Sequence, residues 1–116
     1  MAKFGTLYQK NGYWKGLQVI ASEWIDESTM AYSTMGNTNG LGYGYMWKIM
    51  PADSEIGQMI GYPGYYQTGA GGHALVIIPD LKLVIVERYD RQQDWDVPGA
   101  AGFELAMLIL DARIAE

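Results

Sequence analysis

The stretch from Tyr65 to Arg88 constrains the fold more than any other part of the chain. Two strand-like runs, residues 74–78 and 81–88, flank Pro79-Asp80. Both runs are rich in Val, Ile and Leu, which suit a pleated, buried surface. Proline cannot extend a strand ladder, and Pro-Asp favours a turn. The pattern predicts an antiparallel hairpin. Just upstream, Gly69-Ala70-Gly71-Gly72 interrupts a Gly/Tyr/Pro-rich segment over 59–67 that has weaker strand character.

The remaining segments arrange around that hairpin. Phe4, Leu7 and Tyr8 have helical spacing, and Asn11-Gly12 is a stop signal, so 2–10 reads as a helix. Residues 16–20 read as a short extended link. Ser22 suits an N-cap for a helix over 23–30, with Glu23, Asp26 and Glu27 in its early turns. Residues 31–42 are polar and rich in Gly and Asn, hence a loop. Tyr43, Tyr45 and Trp47 alternate with Gly44, Met46 and Lys48, a strand whose aromatic stripe suits either sheet packing or a ligand platform. Residues 51–56 read as a turn, with Ser54 and Glu55 facing solvent. A polar loop over 90–98 leads into a last helix over 99–114, with Phe103, Ala106, Met107, Leu110 and Ile114 on its buried face. The order predicts an α+β fold: an antiparallel sheet of three to five strands with helices packed against it, on one sheet face. No repeat or linker divides residues 1–116, so they read as a single unit.

Composition narrows the function. The 116 residues are 49% hydrophobic and 18% charged, which excludes a disordered chain. Apolar runs such as Leu75 to Ile78 are far too short to span a bilayer, and no cationic segment leads into an apolar one, so neither a membrane span nor a secretory signal is expected. The net charge is −5, with no Lys/Arg cluster, which argues against a nucleic-acid partner. Cysteine is absent, so disulfides, thiolate chemistry and Cys-bound zinc are excluded, while the compartment stays open. His73 is the single histidine, so a His-rich metal site within one chain is excluded too. No cofactor is implied.

Several familiar signatures fail. Gly64 to Gly69 has phosphate-loop spacing, but Ala70 stands where the lysine must be. The remaining glycines do not form GxGxxG between a strand and a helix. Asp90, Asp94 and Asp96 do not have calcium-loop spacing.

At the glycine-rich strand end, Gln67-Thr68-Gly69, the chain resembles the serine β-lactamase and penicillin-binding-protein-like hydrolases. That superfamily includes class C β-lactamases, D-alanyl-D-alanine carboxypeptidases, esterases and amide hydrolases related to nylon-oligomer hydrolases. The likeness extends over Ala2 to Gly12, Gly16 to Ser28 and Gly42 to Trp47, in matching order and spacing over about residues 1 to 88, with the last helix matching by position. It implies that 67–69 takes the place of the family's Lys-Thr-Gly or His-Thr-Gly triplet, on a strand bordering the catalytic serine. The Ala70 backbone N–H would then be one oxyanion-hole donor, since a fixed N–H stabilises developing charge without reorganising. Gly69 would let substrate approach the backbone, and Thr68 would bond a substrate carboxylate or carbonyl. Gln67 replaces the usual cation, which favours an esterase or amidase over recognition of a carboxylate-bearing β-lactam. His73, where many relatives have Gln, completes the candidate substrate-binding set, with a merely part-buried histidine as the alternative.

The family's nucleophile motif, Ser-x-x-Lys, is missing. The residues three beyond Ser22, Ser28, Ser33 and Ser54 are Ile25, Ala31, Gly36 and Gly57. Tyr-x-Asn and Tyr-x-Ser are missing as well. The resemblance therefore implies the C-terminal third of a serine hydrolase of esters, amides or β-lactams, carrying one wall of a site and inactive alone. The alternative is a non-catalytic module of that fold that oligomerises or binds a small ligand. Either reading leaves an apolar edge, so the expected partner is a second copy or the missing N-terminal segment, with a small ester or amide as ligand.

Overall fold

Strand alternation sorts the core residues onto the two faces of one sheet. The computed structural model describes residues 2–34, 40–69, 73–88 and 101–113, the side chains of 34, 69 and 101–104 excepted. Its elements are helices α1 (Ala2–Gln9), α2 (Ser22–Ser28), α3 (Glu55–Ile60) and α4 (Ala101–Ala112), and strands β1 (Tyr13–Trp14), β2 (Leu17–Gln18), β3 (Ser33–Thr34), β4 (Gly42–Tyr43), β5 (Lys48–Met50), β6 (Gly64–Gly69), β7 (His73–Ile78) and β8 (Leu83–Glu87). Strands β3 to β8 form an antiparallel meander in which each strand pairs with the next, and β1–β2 is a separate hairpin. The class is the α+β one expected. The main sheet has six strands among the described residues, because the two-residue β3 adds to its edge.

Ala74, Val76 and Ile78 of β7 join Tyr66, Met50, Ile85 and Ala106 in one cluster, which α3 and α4 cover. Leu75 and Ile77 join Tyr65, Ile49, Trp47, Tyr8 and Ile25 in the other, which α1 and α2 cover. Helices thus lie on both faces of the sheet, not on one. The physical reason is that β7 is apolar at every position from Ala74 to Ile78, which requires cover on both sides. On the α1 face the rings of Tyr8, Trp47 and Tyr65 meet at centroid distances of 4.9–6.2 Å.

Local sequence sets the boundaries. Helix α1 ends where predicted, in a Schellman motif: the Gly12 amide donates to the Leu7 carbonyl (2.8 Å) and the Asn11 amide to that of Tyr8 (3.0 Å). The segment read as a link, 16–20, folds back instead. Lys15 and Gly16 both have positive φ, the turn that joins β1 to β2, with Trp14 opposite Leu17. Helix α2 starts one residue before the expected 23, with Ala21 rather than Ser22 at the N-cap and no side-chain cap. The strand expected through Tyr43 to Lys48 is split by a tight turn in which the Gly44 amide donates to the Trp47 carbonyl (2.8 Å) and Met46 takes φ +67°. Trp47 is consequently buried while Tyr43 and Tyr45 are exposed.

Helix α3 was not expected, and Ser54 is not a solvated loop residue. Ser54 is buried as the N-cap, its Oγ accepting from the Gly57 amide (3.0 Å), and Gly61 closes the helix at φ +89°. Helix α4 confirms the last predicted helix over its described length. Ala106 is buried and Met107 and Leu110 partly so, whereas the predicted contributions of Phe103 and Ile114 and the loop over 90–98 lie outside the described residues.

Candidate functional site

The β6–β7 hairpin positions the candidate residues. Gln67 lies opposite Leu75, Thr68 opposite Ala74 and Gly69 opposite His73. Four of the five candidates therefore share one end of one hairpin. The fifth, Ala70, lies outside the described residues, as do 71 and 72.

Alternation then divides them between the two faces. Thr68 follows Tyr66 on the α3–α4 side, while Gln67 follows Tyr65 on the α1–α2 side. His73 shares the Gln67 side, since it precedes Ala74 and lies two residues from Leu75. The neighbours Gln67 and Thr68 thus serve different faces. Gln67 and His73 are half-buried, and Thr68 is exposed.

Lys48, which sequence reasoning had not singled out, joins the site. It lies opposite Tyr66 across the β5–β6 pairing, its ammonium sits 5.7 Å from the Tyr66 ring centroid, and Nζ donates to Thr68 Oγ1. The ring faces the charge, a cation–π arrangement. Burial pushes the Tyr66 phenol upward, so the group beneath Lys48 stays neutral. The Thr68 hydroxyl accepts from Lys48 and keeps its own proton to donate. Together they present a cation and a hydroxyl donor side by side, a pair suited to an anionic or carbonyl oxygen. Among the described residues no cluster of three or more His, Asp or Glu side chains is placed to hold a metal ion.

No family model matches the chain, and no curated protein does. Among solved structures, it is similar to a Bacillus anthracis protein provisionally named a 6-aminohexanoate-dimer hydrolase, with a TM-score of 0.68 at 24% identity over 96% of this chain. The chain has part of a β-lactamase-like fold. It spans 27% of the length of that hydrolase, so the likeness concerns one portion of a larger structure. No helix among the described residues is long and apolar enough to cross a membrane.

Proposed function

We propose that this chain forms the strand wall of a serine-hydrolase site, with the nucleophile supplied from outside residues 1–116. It would serve as the C-terminal third of a domain that cleaves an ester or amide through an acyl-enzyme. In that reaction a serine Oγ attacks the substrate carbonyl, the alcohol or amine leaves with a proton, and water releases the acid. The β6 end would line the acyl group. The Ala70 N–H would donate to the oxyanion, Gly69 would admit the substrate close to the strand, and Thr68 would bond its distal oxygen. Gln67 and His73 would line the opposite side of the hairpin.

The observation that carries this reading is the Lys48–Thr68 pair at the end of β6, in a fold shared with a hydrolase. Gln67 lacks the charge that the resemblance leads one to expect beside Thr68. Lys48 supports its replacement from the neighbouring strand, which favours a substrate bearing a carboxylate. The similar protein is named for the dimer of 6-aminohexanoate, an amide of that chemistry. Titration with N-acetyl-6-aminohexanoate, followed by amide chemical shifts, tests the wall directly. Shifts are expected at 67–73, with their loss in Lys48→Met and Thr68→Val. Unmoved amides there, or shifts indifferent to both substitutions, would refute it.

A second reading is a non-catalytic, self-associating module. Trp24, Tyr32 and Tyr45 form an exposed ring series with centroids 5.0–5.5 Å apart, beside exposed Met46, and this surface favours it. Light scattering at micromolar concentration separates the two. A dimer or larger species that Tyr45→Lys reduces to monomer supports association, and a strict monomer rules it out.

A further inference from the structure

A groove far along the chain from the β6–β7 end lies between helix α1 and the β1–β2 hairpin. It has a volume of about 270 Å³ and is lined by Lys3, Phe4, Leu7, Trp14, Lys15 and Val19. We propose that it binds a small amphipathic carboxylate, whose acyl chain lies on the apolar walls and whose head group meets Lys3 and Lys15.

The walls are preorganised. The Schellman motif fixes the end of α1, and the Lys15-Gly16 turn fixes the hairpin. Gln18 Nε2 joins the two, donating to the carbonyls of Asn11 (2.7 Å) and Ile20 (2.6 Å). Gly12 takes φ +84°, and a Cβ there would lie 1.9 Å from the Ile20 carbonyl oxygen, so the approach of hairpin to helix depends on that glycine. A site held in this way loses little entropy on binding.

The walls are also apolar yet open to water. Phe4 is 48% exposed and Val19 59%. The occupant must be small, because about 270 Å³ falls just below the roughly 300–1,000 Å³ of drug-sized sites.

Charge selects the head group. Residues 1–22 hold Lys3, Lys10 and Lys15 and no acid, whereas all 13 acidic residues of this −5 chain lie beyond them. Lys15 rests over the Trp14 ring, 5.7 Å from its centroid, and among the described residues neither groove lysine has a carboxylate partner. An incoming carboxylate would therefore gain charge-assisted hydrogen bonds without displacing an existing ion pair.

Octanoate, octanol and octylamine are the probes, titrated below the micelle threshold and followed by the Trp14 indole and the backbone amides of 3–19. Octanoate is expected to shift these signals and to bind more tightly than octanol, with octylamine weakest. Lys3→Gln/Lys15→Gln should weaken octanoate roughly tenfold and leave octanol unchanged. Val19→Asp, at an exposed position, should abolish octanoate binding with the dispersion of the spectrum intact. Equal binding of octanol and octanoate, an unchanged double variant, or no binding up to the solubility limit would overturn the proposal. So would shifts produced by anionic vesicles and not by free octanoate, which would assign the groove to a lipid surface.

Discussion

Glu87 gives the sharpest test of the packing. It ends β8 opposite Ala74, on the face that carries Leu83 and Ile85 against α4. It is 4% exposed, and neither carboxylate oxygen has a hydrogen-bond partner among the described residues. Burial raises its pKa from 4.5. Below 4.5 both folded and unfolded chains hold the proton. As pH rises above that value the unfolded chain releases it first, so stability falls until the raised folded pKa is passed, and the loss is complete above it. Replacing the group by an apolar one of similar size removes an unpaired buried polar group, worth about 1–3 kcal/mol. Glu87→Leu is therefore expected to stabilise by about 1–3 kcal/mol at neutral pH, which is roughly 3–6 °C in Tm per kcal/mol for a chain of this length. Urea titrations at about pH 4 and about pH 8 should show a larger gain at the higher pH. A destabilised Glu87→Leu at neutral pH, or a gain independent of pH, would refute the reasoning.

Ser54→Ala should cost about 1 kcal/mol through loss of the α3 cap, seen as a lower urea midpoint at unchanged m. Gly12→Ala should cost more than about 1 kcal/mol, because φ and the Ile20 carbonyl both exclude a side chain there, and hydrogen exchange should show the β1–β2 amides opening first. Ile77→Ala, at a fully buried position on the α1 face, should cost about 2–5 kcal/mol by thermal unfolding. A cost below 1 kcal/mol, by the usual scale of core truncations, would mean that α1 and α2 do not seal that face.

What was legible in the chain follows the range of the interactions. The β7–β8 hairpin could be read because its signals, β-branched runs around Pro79, are local. So could α1, whose apolar spacing and Asn11-Gly12 stop both appear within a dozen residues. Helix α3 was hidden by its internal glycine. Gly57 reads as a breaker, yet a Cβ there would lie 2.0 Å from the Pro51 carbonyl oxygen, so the turn preceding the helix requires it. Ser54 before Glu55, with Gly61 after Ile60, was a usable start-and-stop signal. The two-faced cover of the sheet was foreshadowed by the unbroken apolar run of β7. At the site, the grouping of Gln67, Thr68, Gly69 and His73 followed from one hairpin. Lys48 could not be found that way. Its contact with Thr68 spans 20 positions and depends on the register of β5 with β6 across an unforeseen helix. Glu87 lies within the predicted strand over 81–88, and only the packing shows that it is buried.

The central claim is that these residues form one wall of a serine-hydrolase site whose nucleophile lies elsewhere. Labelling the native source with a fluorophosphonate, then mapping the adduct by tandem mass spectrometry in material purified through an antibody to this sequence, tests it most directly. One labelled serine is expected outside residues 1–116, in the same polypeptide or in a complex with it. An adduct on Ser22, Ser28, Ser33 or Ser54, or an unlabelled 12.9 kDa species with no labelled companion, would contradict it.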